Sequence, residues 1–199
     1  MEILFATKNP AKINYYKTEL EKQGIQIYTL REKHVDCEVE ETGKTAIENA
    51  VLKAKAYYEQ THLKTIAIDD TLYIEGVTDD EQPGAKVRRI GGIERTDDEM
   101  LTHYTALAHK YGGRLTAKWI KGVAIYNGDS LKTHQVEGDF FYFVEKISPV
   151  RHEGYPLDSI TIIPEQNKYL SEMRKEEYEN RKKGSSSRQI LNFIEANLD

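Results

Sequence analysis

Three short stretches carry residue types whose order suggests phosphate and metal chemistry. The first is FATKNPAK, residues 5–12, directly after MEIL. An apolar strand breaks there into Thr7, Lys8, Asn9 and Pro10, and Lys12 follows as a helix opens. Backbone N–H groups at a helix start, with a lysine one turn in, can cradle a phosphate. Thr7 and Asn9 add side-chain donors. The stretch lacks the glycines and the Gly-Lys-Ser/Thr ending of a Walker A loop, and it is not a G-x-G-x-x-G dinucleotide turn. A plain strand-to-helix turn with a solvated lysine fits the same residues.

The second stretch is EVEETGKTAIENA. Glu38, Glu40 and Glu41 crowd together, and such carboxylates repel unless solvated or bound to a cation. A hard cation such as Mg2+ takes oxygen ligands and keeps several waters, so one or two acids suffice. A solvated acidic loop is the other reading. Glu48 is set apart, because Thr45-Ala-Ile-Glu48 matches a capping box that uses Glu48 on the helix start.

The third stretch is AIDDTL, with Asp69 and Asp70 adjacent. Neighbouring strand residues point to opposite faces, so both acids share a cleft only if the strand has ended. Acids at the end of the apolar run TIAI lie where open α/β sheets place ligands. One can serve as metal ligand or general base while the other is a structural acceptor. Near the C-terminus, Arg174, Lys175, Arg181, Lys182, Lys183 and Arg188 surround GSSS. This mixture with Glu suits a charged helix surface. Equally, Lys182, Ser187 and Arg188 suit phosphate or base-edge contacts.

The elements that must position these residues follow from periodicity. MEILFAT reads as a buried first strand and IQIYTL as a second. Ile13, Tyr16 and Leu20 recur at helical spacing up to Gly24. A helix is expected from about Ala46 to Tyr58, a strand over TIAIDDTLYIEGV, a loop ending PGAKVRRIGG, and a helix over 97–111. Residues Arg114 to Ser148 alternate like antiparallel strands, with Asn127-Gly128 as a hairpin signal. Helical patterns return over about 169–182 and 187–197. The fold class expected is α/β, one domain over 1–199 with a hairpin-rich lobe around 114–150.

The composition is that of an ordinary globular chain: 199 residues, 39% apolar and 31% charged. A net charge of −5 argues against a nucleic-acid partner. A polyanion must then meet a local Lys/Arg cluster or arrive carrying a divalent metal. The single Cys37 excludes an internal disulfide and a cysteine zinc cage, and suits a reducing, cytoplasmic setting. No apolar run approaches the roughly 18 residues of a membrane span, and no signal peptide is expected.

In this order, the motifs resemble the inosine triphosphate pyrophosphatase family, whose members hydrolyse deaminated purine nucleoside triphosphates to the monophosphate and pyrophosphate. The likeness covers nearly the whole chain. FATKNPAK is similar to that family's Ala-Thr-Gly-Asn-x-x-Lys, with Lys8 where Gly is usual. EETGKTAIENAVLKA is similar to Glu-x-Gly-x-Thr-Phe-x-Glu-Asn-Ala, the most specific match. AIDDT resembles Ala-Asp-Asp-Ser, PGAKVRRIGG resembles Pro-Gly-x-x-Ser-Ala-Arg-Tyr, GYPLD resembles Gly-Tyr-Asp-Pro, and KKGSSSR resembles Lys-x-x-x-Ser-His-Arg.

The resemblance implies an elongated mixed α/β fold with a cleft between two lobes, usually a homodimer. It implies that Thr7, Asn9 and Lys12 bind the triphosphate and that Glu41 and Asp70 hold Mg2+; Lys8, standing where the family has Gly, either adds a substrate contact or points to solvent. Asp70 would also accept the proton of the attacking water. Thr71 would touch the substrate, Tyr155 and Asp158 would line the base-reading loop, and Lys182, Ser187 and Arg188 would close over base and phosphates. Departures fall mainly on the base side: Ser187 replaces His, Glu153 stands for Phe, and Pro156-Leu157 displaces the acid to Asp158. Leu72 replaces a glycine after the acids. The expectation is retained pyrophosphohydrolase chemistry with an altered base preference.

Other readings are a pyrophosphohydrolase for a standard or modified dNTP, an inactive nucleotide-binding module, or a nucleic-acid binder using the C-terminal basic segment. Retention of Glu41 and Asp70 opposes the inactive module. The last would bind with steep salt dependence, which the interleaved Glu residues and net charge oppose.

Overall fold

The computed structural model describes residues 2–182 and 185–198, with the side chains of Glu179 and Lys182 outside the described set. The chain forms β1 (Ile3–Phe5), a helical segment of α1 (Pro10–Lys12), a π-helical turn (Ile13–Lys17) and α2 (Thr18–Glu21), then β2 (Ile27–Thr29), α3 (Ala46–Thr61) and β3 (Lys64–Ile74). There follow β4 (Arg89–Ile90), β5 (Ile93–Glu94), α4 (Asp97–Lys110), β6 (Arg114–Tyr126), β7 (Leu131–Glu137) and β8 (Phe141–Val144). The chain closes with β9 (Thr161–Ile163), β10 (Lys168–Tyr169), α5 (Lys175–Lys182) and α6 (Ser186–Glu195).

The main sheet is mixed and eight-stranded, in the order β10-β9-β8-β6-β3-β1-β2, with β7 on β6. β1 pairs parallel with β2 and β3, whereas β8 pairs antiparallel with β6 and β9. This is the mixed α/β sheet that the sequence predicts.

Two compact units divide the chain: one takes residues up to Asp70, 120–136 and Ser186 onward, the other Thr71–Trp119 and Glu137–Ser185. In the first unit, strand alternation sorts the core into two layers. Ile3, Phe5, Ile66, Ile68, Val123 and Ile125 pack with Leu20 and with Ile190 and Ile194 of α6. Leu4, Ala6, Ala67 and Ala124 face Ala50 and Ala54 of α3. Both faces of β1 are therefore covered, which is why its residues read as a continuous apolar run. The second unit packs Met100, Leu101, Tyr104 and Leu107 of α4 against Leu72, Leu115, Phe141 and Phe143.

Two local expectations change. PGAKVRRIGG is not all loop: Arg89–Ile90 and Ile93–Glu94 pair across Gly91-Gly92, both at positive φ (62° and 81°). Glycine adopts that backbone without the Cβ clash other residues suffer. The helix expected over 169–182 begins only at Lys175, after strand β10 and a 3-10 turn at Leu170–Glu172. Leu170 and Met173 pack on the second unit's core from that turn, so their spacing mimics a helical stripe. The backbone N–H of Arg174 donates to Glu177 at 2.7 Å, marking where the helix starts.

Candidate active site

The opening turn is held by its own side chains. Asn9 caps the short helix, its Oδ1 accepting from the N–H groups of Ala11 (2.9 Å) and Lys12 (3.3 Å). The Asn9 N–H donates to Thr7 Oγ1 at 3.1 Å. This geometry aims Lys12 inward, where its Nζ lies 3.2 Å from the Ile68 carbonyl oxygen and 3.1 Å from Asp70 Oδ2. Burial pulls the Lys12 pKa down from the usual lysine value, and the Asp70 charge opposes that pull. Lys8 behaves otherwise. It is exposed, 3.5 Å from Glu38, and lines a cavity of about 780 Å3 together with Arg31 and His34.

The strand carrying the acids does not end at them. β3 runs on to Ile74, past the point where Phe5 of β1 pairs with Ile66, so Asp69 and Asp70 face opposite sides. Asp69 continues the face of Ala67, towards α3. It accepts from Lys53 Nζ at 2.7 Å and from Asn49 Nδ2 at 3.2 Å. Lys53 also donates to Glu41 at 3.1 Å, tying the acidic loop to this face. Asn49 and Lys53 are four residues apart on α3 and so share one side of the helix.

Local sequence explains how α3 reaches this close. Thr45 and Glu48 form the expected capping box. Gly43 donates its N–H to Asn49 Oδ1 at 2.8 Å, and a Cβ there would sit 2.6 Å from that oxygen. On β6, a Cβ at Gly122 would meet the Ile47 nitrogen at 2.4 Å. Only glycine lets the helix start lie against the strand.

Asp70 continues the opposite face, that of Ile66 and Ile68. Its two oxygens are taken by Lys12 and by Lys121 Nζ, at 3.1 Å and 3.2 Å. Lys121 comes from β6, on the face of Val123 and Ile125, and is mostly buried. Burial acts to raise the Asp70 pKa, but the Lys121 and Lys12 charges and hydrogen bonds win and hold it at about 2. With both lysines in place, Asp70 is thus an ionised carboxylate at neutral pH. Glu41, Asp69 and Asp70 stand against Lys12, Lys53 and Lys121, three charges of each sign.

Ser187 and Arg188 lie in the first turn of α6, with Arg188 3.7 Å from Glu19 of α2. In the second unit, Thr71 is buried and Tyr155 is exposed. Arg88 ties the PGAKVRRIGG loop to Asp97 (2.8 Å), which accepts from the Gly154 N–H (2.7 Å) just before Tyr155. Asp158 is half-buried, and burial raises its carboxyl to about 6 against the pull of His152. Lys182 ends α5, and its side chain lies outside the described residues.

Sequence reasoning passes over Asn49, Lys53 and Lys121. Asn49 and Lys53 follow the capping box on one helix face, which was a readable signal. Lys121 interrupts the inward register Lys121-Val123-Ile125, a weaker signal, since TAKWIKGVAIY also fits a half-exposed strand.

Fold and site together define an α/β protein with a lysine–carboxylate cluster just beyond the parallel strands. The chain belongs to the Ham1 family, whose sequence profile matches residues 3–190. This bears out the resemblance to the inosine triphosphate pyrophosphatases. It is 29% identical over 181 residues to the dITP/XTP pyrophosphatase of Bacillus subtilis, covering 88% of this chain and 87% of that protein. It is 30% identical over 188 residues to the dITP/XTP pyrophosphatase of Aquifex aeolicus, covering 89% and 88%. In structure it is similar to a HAM1 protein from Coxiella burnetii, with a TM-score of 0.78 at 23% identity over 98% of this chain and 99% of that one. The Ham1 protein of Staphylococcus aureus gives 0.76 at 23% identity with the same coverage.

Proposed function

We propose that this protein hydrolyses nucleoside triphosphates to the monophosphate and pyrophosphate, with deaminated purine nucleotides as the substrate class. The observation that carries the reading is Asp70, ionised and flanked by Lys12 and Lys121 beside the Thr7–Lys12 turn. Thr7, Lys8, Asn9 and Lys12 take the triphosphate. We assign Thr71, Tyr155, Asp158, Lys182, Ser187 and Arg188 to further contacts with the substrate. Homodimerisation and a cytoplasmic setting complete the proposal.

Asp70 would hold Mg2+ together with Glu41 once Glu41 leaves Lys53, which ties it to the Asp69 face of β3. Their oxygens suit a hard cation. Among the described residues, no group of three or more His, Cys, Asp or Glu side chains is placed to hold a metal; Mg2+ keeps several waters, so one or two carboxylates would suffice. When bound, Mg2+ supplies charge neutralisation on the phosphate oxygens. The chain's own residues do the rest. Lys12 and Lys53 offset charge on the departing pyrophosphate, and phosphoryl transfer is mostly such positioning and neutralisation. Asp70 accepts the proton of the attacking water once the phosphates draw its lysine partners away and restore its basicity.

The test is hydrolysis across ITP, XTP, dITP and the standard NTPs and dNTPs, with pyrophosphate and orthophosphate measured separately. Pyrophosphate release that falls by about 10^2 to 10^4 in Asp70→Asn supports the assignment. Turnover unchanged in that variant contradicts it. A second reading, a pyrophosphohydrolase for a standard or modified dNTP, is favoured by Ser187 and by the displaced Asp158. Exclusive ITP and XTP turnover would rule that second reading out.

A further inference from the structure

We infer that Lys121 is a built-in counter-ion which, with Lys12, keeps a divalent cation off Asp70 until a triphosphate arrives. The inference rests on the pyrophosphatase reading above and concerns how its cation is admitted. Both Asp70 oxygens already have an ammonium partner, Lys121 on Oδ1 at 3.2 Å and Lys12 on Oδ2 at 3.1 Å. Asp69 and Glu41 share the third ammonium, that of Lys53, at 2.7 Å and 3.1 Å. Each of the three carboxylates therefore already has an ammonium partner.

A divalent cation approaching Asp70 alone finds both carboxylate oxygens already neutralised and meets the ammonium groups of Lys12 and Lys121 at close range. It must also give up water, which Mg2+ does reluctantly. A triphosphate changes the balance. Its oxygens are strong acceptors for lysine, so they draw the ammonium groups from the carboxylates and bring the missing negative charge. Cation and nucleotide then bind with positive coupling, each strengthening the other by the same factor.

Lys12 is needed at the phosphates whatever else it does, so Lys121 is the residue that gives this device its own handle. It leaves β6 on the apolar face of Val123 and Ile125, and its side chain is only 17% exposed. A lysine there is costly unless paired, and Asp70 is the carboxylate it pairs with among the described residues.

The experiment titrates Mn2+, visible by electron paramagnetic resonance, into the full-length protein with and without a triphosphate analogue whose α–β bridge resists hydrolysis. Without nucleotide, the unaltered protein binds Mn2+ weakly. Lys121→Met and the polar Lys121→Gln bind it at least about tenfold more tightly. That gain disappears when Asp70→Asn is added. With the analogue, the unaltered protein binds Mn2+ tightly. Equal nucleotide-free affinity in the unaltered protein and the Lys121 variants overturns the inference. So does tight nucleotide-free binding by the unaltered protein, whatever the variants do. Weak binding even with the analogue overturns the pyrophosphatase reading, and this inference with it.

Discussion

Replacing Lys53 by methionine keeps the length of the side chain and removes its charge. Lys53 and Asp69 are both almost buried, at 11% and 9% side-chain exposure, and lie 2.7 Å apart. Without Lys53, the Asp69 carboxylate keeps only Asn49 as a side-chain partner among the hydrogen bonds described. Removing one member of a buried pair and stranding the other costs about 3–5 kcal/mol. At about 2–4 °C per kcal/mol for a chain of this size, the unfolding midpoint falls by roughly 6–20 °C. Circular dichroism melts of the parent, Lys53→Met, Asp69→Asn and the double variant measure it. Because the loss comes from a stranded charge, adding Asp69→Asn to Lys53→Met recovers part of the midpoint. A Lys53→Met midpoint within about 2 °C of the parent, under 1 kcal/mol, or a double variant no better than Lys53→Met, refutes the stranded-charge argument.

Two further predictions concern packing and pH. Gly122→Ala places a Cβ 2.4 Å from the Ile47 nitrogen and 2.5 Å from the Ala46 carbonyl carbon; urea unfolding then shows a loss of about 1–3 kcal/mol, and an unchanged midpoint contradicts the close approach of α3 to β6. Burial raises the Asp158 carboxyl to about 6, above its unfolded value of about 3.9. Its ionisation therefore costs stability as pH rises from about 4 through 6. Asp158→Asn removes up to about 3 kcal/mol of that cost at neutral pH, so it raises the midpoint at pH 7.5 and leaves it unchanged near pH 3.5. A destabilised variant at pH 7.5 contradicts the assignment.

What the sequence made legible was local. The Thr7–Lys12 turn and the Thr45–Glu48 box each depend on residues within one or two helical turns, and each forms. Opposite facing of Asp69 and Asp70 also follows from the two-residue period of a strand. What that period does not tell is which side finds which partner. Lys53 meets Asp69 only because α3 covers the Ala67 face, and Lys121 meets Asp70 only because β6 lies beside β3. Those are pairings across 16 and 51 residues. Very short elements were missed for a different reason: β9 and β10, of three and two residues, are too brief to establish a period.

In the proposed reaction, water attacks the α-phosphorus at a site built around Asp70, and pyrophosphate leaves. Single-turnover hydrolysis of ITP in 18O-labelled water, followed by mass spectrometry of both products, tests it most directly. Attack at the α-phosphorus leaves one labelled oxygen in the nucleoside monophosphate and the pyrophosphate unlabelled, and both products are lost in Asp70→Asn. Label in the pyrophosphate, or release of orthophosphate with a nucleoside diphosphate, would contradict it.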